Sequence, residues 1–283
     1  MSCHHLPTLI WSHVAAERRG FPVDLKKLDT WLQWSAERVA GKNPGIETLS
    51  QFMLALPQGR EGLPASLRST ELARLIVAAQ EPDGSWKPGS QFASMQKRQK
   101  PEAQEASTRL NVLALASLAG VSDTNALARA RALNWLKQRN EAPLSTETLV
   151  FRLLLAQRLK ETRIAEAGRD QLFDLQHADG GWSWRMGEAQ SDALATGQVL
   201  YALRGVTAKR GVKCVARGRQ WLLANQHENG EWFTKSTLIT VLPGEGHILR
   251  TDGIYTFWGT AWATLGLLEA LPPSPKPVIR RSL

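Results

Sequence analysis

Several absences limit what this 283-residue chain can be. It has two cysteines, Cys3 and Cys214, which is too few for a framework of disulfide bridges. It has no run of 18 apolar residues, so no membrane-spanning helix is expected. From Met1 to Pro7 no charged region precedes an apolar one, so the sequence as written shows no secretory signal. With 43% hydrophobic residues, the chain should still bury a sizeable core.

The net charge of +9 does not point to nucleic acid. Basic residues are spread along the chain between acidic ones, and the densest run, residues 97–100, has no interleaved aromatic side chain. No zinc-finger or RNA-binding signature is present. The sequence therefore predicts a solvated basic face and no nucleic-acid partner. Weak peripheral association with an anionic membrane stays open, as does the oligomeric state.

The aromatic composition is unusual, because the chain has eleven tryptophans but only two tyrosines. Three of the tryptophans end the pattern Gln-x-x-x-Gly-x-Trp. Each copy follows an apolar helical stretch and has Asp or Asn before its glycine, which is a turn signal. The motif residues are Gln80, Gly84 and Trp86; Gln176, Gly180 and Trp182; and Gln226, Gly230 and Trp232.

A small, apolar, helix-forming stretch follows each motif. One further helix pair lacks a clear copy of the motif, and another lies before the first motif. This gives about five helix pairs, at the period of ~40–50 residues that stacked helical hairpins have. The second helix of a pair is apolar on nearly every side, which indicates an inner layer surrounded by an amphipathic outer one. We therefore predict an all-α fold, an α/α toroid. The second helices are read at 47–56, 105–118, 145–159, 191–203 and 252–271.

The motif has a structural interpretation. Its glutamine ends a helix, where the amide can bond to unpaired backbone groups. Its glycine permits a positive φ, and its tryptophan buries a large flat ring with one polar atom. We expect the three residues to join adjacent helix pairs.

The threefold motif resembles the QW repeat of squalene-hopene and oxidosqualene cyclases. A second likeness lies at 251–258, Thr-Asp-Gly-Ile-Tyr-Thr-Phe-Trp, which is similar to the Asp-Gly-Cys-Tyr-Ser-Phe-Trp segment in the β subunits of protein prenyltransferases. Both families share the toroid fold. The resemblance implies an apolar central cavity that binds an isoprenoid or another hydrophobic ligand.

The catalytic residues of those families are missing. Squalene-hopene cyclases protonate an alkene with Asp-x-Asp-Asp, whereas here the nearest residue is Asp192, which we interpret mainly as a helix cap. Asp252 matches the acidic zinc ligand of the prenyltransferases, but Ile254 replaces the thiolate and no histidine follows His247. One ligand cannot hold zinc, so no metal is expected.

If the protein nonetheless cyclises a polyene, Asp192 and Asp252 are the candidate acids. Both are read as preceding inner helices and facing one end of the ring. Tyr255, Trp258 and Trp262 are the candidate cavity residues, able to stabilise a cation through their rings, although ordinary core packing is the favoured interpretation of all three. Whether the protein is an enzyme stays open.

Two further alternatives remain. A carbohydrate-processing α/α barrel needs paired carboxylates, and no pair stands out. A redox-associated interaction module is suggested by Cys3 and His4, because a Cys-His pair ends the haem-attachment motif Cys-x-x-Cys-His. Haem is expected only if the sequence begins within such a motif, and chance explains the pair as well.

The sequence thus divides into an N-terminal segment, 1–24, a repeat domain, 25–271, and a proline-rich basic tail, 272–283. The compartment is cytoplasmic as written, or an exported one if a signal and a haem motif precede Met1.

Overall fold

The computed structural model describes residues 5–41, 44–56, 60–93, 98–118, 120, 122–139, 142–236 and 245–271, with backbone alone for 245–250. Over these ranges the chain forms twelve α-helices and one 3-10 turn, Ala65–Leu67, and no strand. This confirms the all-α prediction. No helix in the described ranges is both long and apolar enough to cross a bilayer.

The helices of the described ranges follow one another in chain order. They are α1 Leu6–Arg18, α2 Leu25–Gly41, α3 Ile46–Ala55, α4 Ser69–Ala78, α5 Ser90–Ala93, α6 Lys100–Ala116, α7 Asp123–Lys137, α8 Thr146–Leu159, α9 Thr162–Asp174, α10 Ala193–Ala202, α11 Lys209–Ala224 and α12 Glu245–Ala270.

The helices form two concentric layers. In the inner layer α1, α3, α6, α8, α10 and α12 each pack on the next, and α12 returns to α1, so the ring closes. In the outer layer α2, α4, α7, α9 and α11 each pack against the inner helices beside them. Inner helices are buried on most sides, and every residue of α10 except Tyr201 is buried. The toroid prediction is therefore confirmed, with six inner helices where about five hairpins were expected.

The additional inner helix is α1. It lies in the N-terminal segment, 1–24, which was predicted to be separate from the repeat domain. Leu6, Ile10 and Val14 recur at helical spacing and are almost fully buried. Trp11 packs its ring 5.3 Å from that of Trp262 in α12. Residues 6–18 therefore belong to the packed ring, whereas Cys3, His4 and residues 272–283 lie outside the described residues.

The glutamine of each repeat turn ends an outer helix. Gln80 Nε2 donates to the Gly84 carbonyl at 2.9 Å and to the Ala128 carbonyl of α7 at 2.8 Å. Gln176 Nε2 donates in the same way to Gly180 and to Cys214 of α11, both at 2.8 Å. Each of these amides therefore joins its own turn to the next outer helix.

The tryptophan of each turn joins the outer layer to the inner one. Its indole nitrogen donates at 2.7 Å to a carbonyl ten residues earlier in the preceding outer helix. Its backbone N–H donates to a threonine hydroxyl of the following inner helix. The trios of tryptophan, carbonyl and threonine are Trp86, Ile76 and Thr108; Trp182, Leu172 and Thr196; and Trp232, Leu222 and Thr260.

In the first two turns, both the backbone conformation and a close contact require glycine. Gly84 and Gly180 have φ of +93° and +98°, and a Cβ would lie 2.7 Å from the Arg131 carbonyl oxygen and 2.9 Å from that of Arg217, respectively. The positive φ strains any other residue, and the close approach leaves no room for a side chain.

Gly180→Ala should destabilise the protein more than Gly205→Ala does. Both glycines have positive φ, but a Cβ at Gly205 would meet nothing within 4 Å. The control should lose about 1 kcal/mol through backbone strain alone. Gly180→Ala should lose roughly 2 kcal/mol more, because α11 must move away. Urea unfolding of the two variants measures the difference, and equal losses would show that the turn tolerates a side chain.

Candidate functional site

Acidic residues near the starts of three inner helices converge at one end of the ring. Glu47 of α3, Glu102 of α6 and Glu147 of α8 are all buried. Between them lies the Arg98 side chain, which is fully buried and ion-paired with Glu147. Its charge also interacts with Glu102, with Tyr255 of α12 and with Glu47. These partners belong to four of the six inner helices, and Arg98 also lines a cavity of about 710 Å³ beside the first repeat turn.

Aromatic rings complete the surroundings of Arg98. Its guanidinium carbon lies 4.5 Å from the centre of the Phe92 ring and 5.1 Å from the centre of the Trp184 ring. Burial lowers the pKa of Arg98 to about 10, so the side chain stays cationic at neutral pH. The interpretation of residues 97–100 as a solvated face is therefore wrong for Arg98, because carboxylates from distant parts of the chain surround it.

Hydrogen bonds hold these carboxylates in place. Glu47 Oε1 accepts from the Gly89 N–H at 2.7 Å, and burial raises the pKa of Glu47. Glu102 Oε1 accepts from the Ser145 N–H at 3.0 Å and so fixes the start of α8. Gln198 Nε2 donates to Glu147 Oε1 at 2.5 Å. Arg98, Glu47, Glu102 and Glu147 form this buried charged cluster, and none of the four was a candidate from sequence. The one available signal was an acid at the second or third position of α3, α6 and α8, where the helix dipole favours it.

Asp192 lies at the start of α10, beside a cavity of about 540 Å³. It caps the helix, since Oδ1 accepts from the Ala195 N–H at 2.8 Å and Oδ2 from the Trp184 N–H at 2.5 Å. Burial is the largest cause that raises the pKa of Asp192, to about 6, and the charge of Glu188 raises it further. Glu188 lines the same cavity. The structure thus brings together two carboxylates that the sequence did not reveal as a pair.

Asp252 lies elsewhere than predicted. It is inside α12, which begins at Glu245, and does not precede the helix. Glycines on both sides of Glu245 made this stretch read as a loop. Asp252 Oδ1 accepts from the Ser236 N–H at 2.7 Å. Asp252 lines a second cavity of about 660 Å³, between α1 and α12, so the two candidate acids do not share a site.

The three candidate aromatics share one face of α12 and are buried. Tyr255 and Trp258 pack with ring centres 5.4 Å apart, and Tyr255 also lines the cavity of Asp192. Trp262 packs against Trp11 and Tyr201, with ring centres 5.3 and 5.6 Å away. The α12 residues that line the cavity beside α1 are different ones: Asp252, Gly253, Thr256, Phe257, Thr260, Ala261 and Thr264.

The described part of the chain contains neither a candidate metal site nor an ionised thiol. Among these residues no group of three His, Cys, Asp or Glu is placed to hold a metal ion. Burial raises the pKa of the Cys214 thiol to about 11, and its Sγ donates to Gln176 Oε1 at 3.1 Å. The thiol is therefore protonated at neutral pH and part of the repeat turn.

Solved structures with the same fold include a substituted type II terpene cyclase, MstE from Scytonema, in complex with its substrate geranylgeranyl dihydroxybenzoate. It superposes with a TM-score of 0.59 over 93% of this chain and 87% of that chain, at 13% identity. A possible member of the GH105 family from Salmonella enterica gives a TM-score of 0.65 over 94% and 82%, at 14% identity. No protein-family model matches the sequence, and no curated protein matches it. At identities of 13% and 14%, this similarity establishes a terpene-cyclase-like toroid fold but not the function or the ligand.

Asp192 should titrate near pH 6, and its titration should make stability depend on pH. The folded chain holds this proton more tightly than the unfolded chain, in which the pKa is near 3.8. The resulting stabilisation is complete below pH 4 and is lost as the pH rises through 6. Relative to Asp192→Asn, the protein should lose roughly 2 to 3 kcal/mol between pH 4 and pH 7, measured by urea unfolding at each pH.

Carbon-13 NMR of the aspartate carboxyls locates the titration directly. Glu188→Gln is the control, and it should lower the pKa of Asp192 only slightly, because burial is the larger cause. A midpoint below pH 4 in the unsubstituted protein would contradict this assignment.

Proposed function

We propose that this protein binds a hydrophobic small molecule of the isoprenoid class in the cavity between α1 and α12. The single observation that carries the proposal is the composition of the cavity walls. They are mainly apolar, with a few polar atoms from Ser12, His13, Glu231, Asp252 and threonines of α12. Such a mixture is usual for small-molecule sites, and about 660 Å³ lies within their usual range of roughly 300–1,000 Å³. The apolar wall residues are Leu9, Ala16, Pro22, Val23, Phe233, Phe257 and Ala261.

The fold supports the ligand class. MstE, which has the same type of toroid, is described with a geranylgeranyl substrate and with a product. One end of the ring in this chain is occupied by Arg98 and its carboxylates, and charged groups are unsuitable walls for a hydrocarbon. The seam between α1 and α12 offers the apolar surface instead.

Binding without turnover is the simpler form of the proposal. The sequence has no Asp-x-Asp-Asp, and Asp252 is engaged with the backbone N–H of Ser236. Alkene protonation needs a carboxyl that is kept protonated and strongly acidic in a dry site. The two acidic residues of the described chain that line the apolar cavity, Asp252 and Glu231, do not belong to such a motif.

A second candidate is cyclisation with Asp192 as the acid, and the raised pKa of that residue is the observation that favours it. Glu188, Arg185, Lys235 and Tyr255 line the cavity around it. The two backbone N–H groups that Asp192 accepts stabilise the carboxylate over the acid, which makes this candidate the weaker one. The haem-linked alternative stays a prediction, because Cys3 and His4 lie outside the described residues.

Ala16→Trp should weaken ligand binding at least tenfold, because the indole would occupy the cavity that Ala16 lines. Ala130→Trp on the exposed side of α7 makes the same chemical change away from the cavity and should leave binding unchanged. Titration calorimetry with geranylgeraniol and with squalene measures both. If neither compound binds the unsubstituted protein, the proposal is wrong.

Turnover is tested separately by incubating the purified protein with squalene or prenyl diphosphates and analysing products and retained lipid by mass spectrometry. We expect retained isoprenoid and no product. A cyclised product that disappears in Asp192→Asn would instead establish the second candidate.

A further inference from the structure

The two cavities are neighbours, because Phe233 lines both. Its side chain is 56% exposed, while Trp232 and Thr234 on either side of it are buried. One cavity is mainly apolar and the other is rich in charged and hydroxyl groups. A single ligand that passes Phe233 would therefore meet two different environments.

The segment that carries Phe233 is fixed along α12 in a regular way. Trp232, Thr234 and Ser236 donate their backbone N–H groups to Thr260, Thr256 and Asp252, at 3.0, 3.1 and 2.7 Å. The donors are two residues apart and the acceptors one helical turn apart, so 232–236 runs extended and antiparallel to α12. Alternate side chains of an extended segment point to opposite sides. Phe233 and Lys235 therefore lie on the same side of the segment, and both line the polar cavity, as do Thr234 and Ser236.

The charges of the polar cavity balance. Arg185 and Lys235 contribute two cations, and Glu188 and Asp192 contribute two carboxylates. An anionic diphosphate would meet both carboxylates, and an ammonium group would meet both cations. A neutral hydroxyl can donate to a carboxylate and accept from Lys235 at the same time.

We infer that the ligand is an isoprenoid amphiphile whose chain occupies the apolar cavity and whose neutral, hydroxylated head group lies past Phe233 in the polar cavity, between Lys235 and the carboxylates. This inference rests on the proposed function and adds the chemical class of the head group. It also gives a role to the exposed Phe233 ring, which packs against the ligand where chain and head group meet.

The test compares three probes of one chain length: geranylgeraniol, its deoxy hydrocarbon and geranylgeranyl diphosphate. The alcohol should bind about tenfold tighter than the hydrocarbon, since one or two hydrogen bonds to charged groups are worth about that factor. The diphosphate should bind more weakly than the alcohol. Lys235→Met should reduce the affinity for the alcohol to that for the hydrocarbon and leave the hydrocarbon unaffected.

Lys213→Met, at an exposed lysine of α11, is the matched control and should change nothing. Equal affinity for alcohol and hydrocarbon, or no effect of Lys235→Met, would overturn the inference while leaving the proposed function intact. Tightest binding of the diphosphate would overturn it as well. If none of the three probes binds, the proposed function fails and the inference fails with it.

Discussion

The fold depends on the hydrogen bonds that one indole and one backbone N–H of each repeat turn make to two different layers. The indole is bonded to the outer helix behind it, and the adjoining N–H to a threonine hydroxyl of the inner helix ahead. Neither layer can slide without leaving a buried polar group unsatisfied, at a cost of about 1–3 kcal/mol for each. The three turns fix the register of three inner helices, α6, α10 and α12, and two of the glutamines, Gln80 and Gln176, extend it from one outer helix to the next.

The last turn differs from the others in a way that matters for function. In the described chain no outer helix follows the third motif, and Gln226 donates only within its own turn, to Gly230. The chain continues from Trp232 as the extended segment along α12. The third turn lines the cavity beside α1 through Glu231, and the first turn lines another cavity, of about 710 Å³, through Glu81, Asp83 and Ser85. The third turn is distinguished by the extended segment that follows it, because Phe233 of that segment lines both cavities of the candidate site.

The sequence predicted the features that depend on local pattern. Helix pairs, the turns and the two layers follow from spacing and from the fully apolar inner helices such as α10. The inner helix α1 was missed because no repeat turn marks it, and its burial depends on contact with α3 and α12, which are distant in sequence. The same reason applies to Arg98. A basic run is normally solvated, and only the converging carboxylates of three helices make burial of one guanidinium tolerable.

Arg98 also determines which part of the ring can hold a hydrocarbon. A toroid of apolar inner helices suggests a ligand in its centre, but a fully buried cation with partners on four inner helices occupies one end of that centre. Removing its partners would leave an uncompensated buried charge, so electrostatics as well as packing keeps Arg98 and its carboxylates together at this end. Apolar surface remains accessible at the seam between the first and last inner helices. A ring that closes by packing its two chain-terminal helices, and not by a repeat turn, can leave a cavity there without disrupting the hydrogen bonds that set its register.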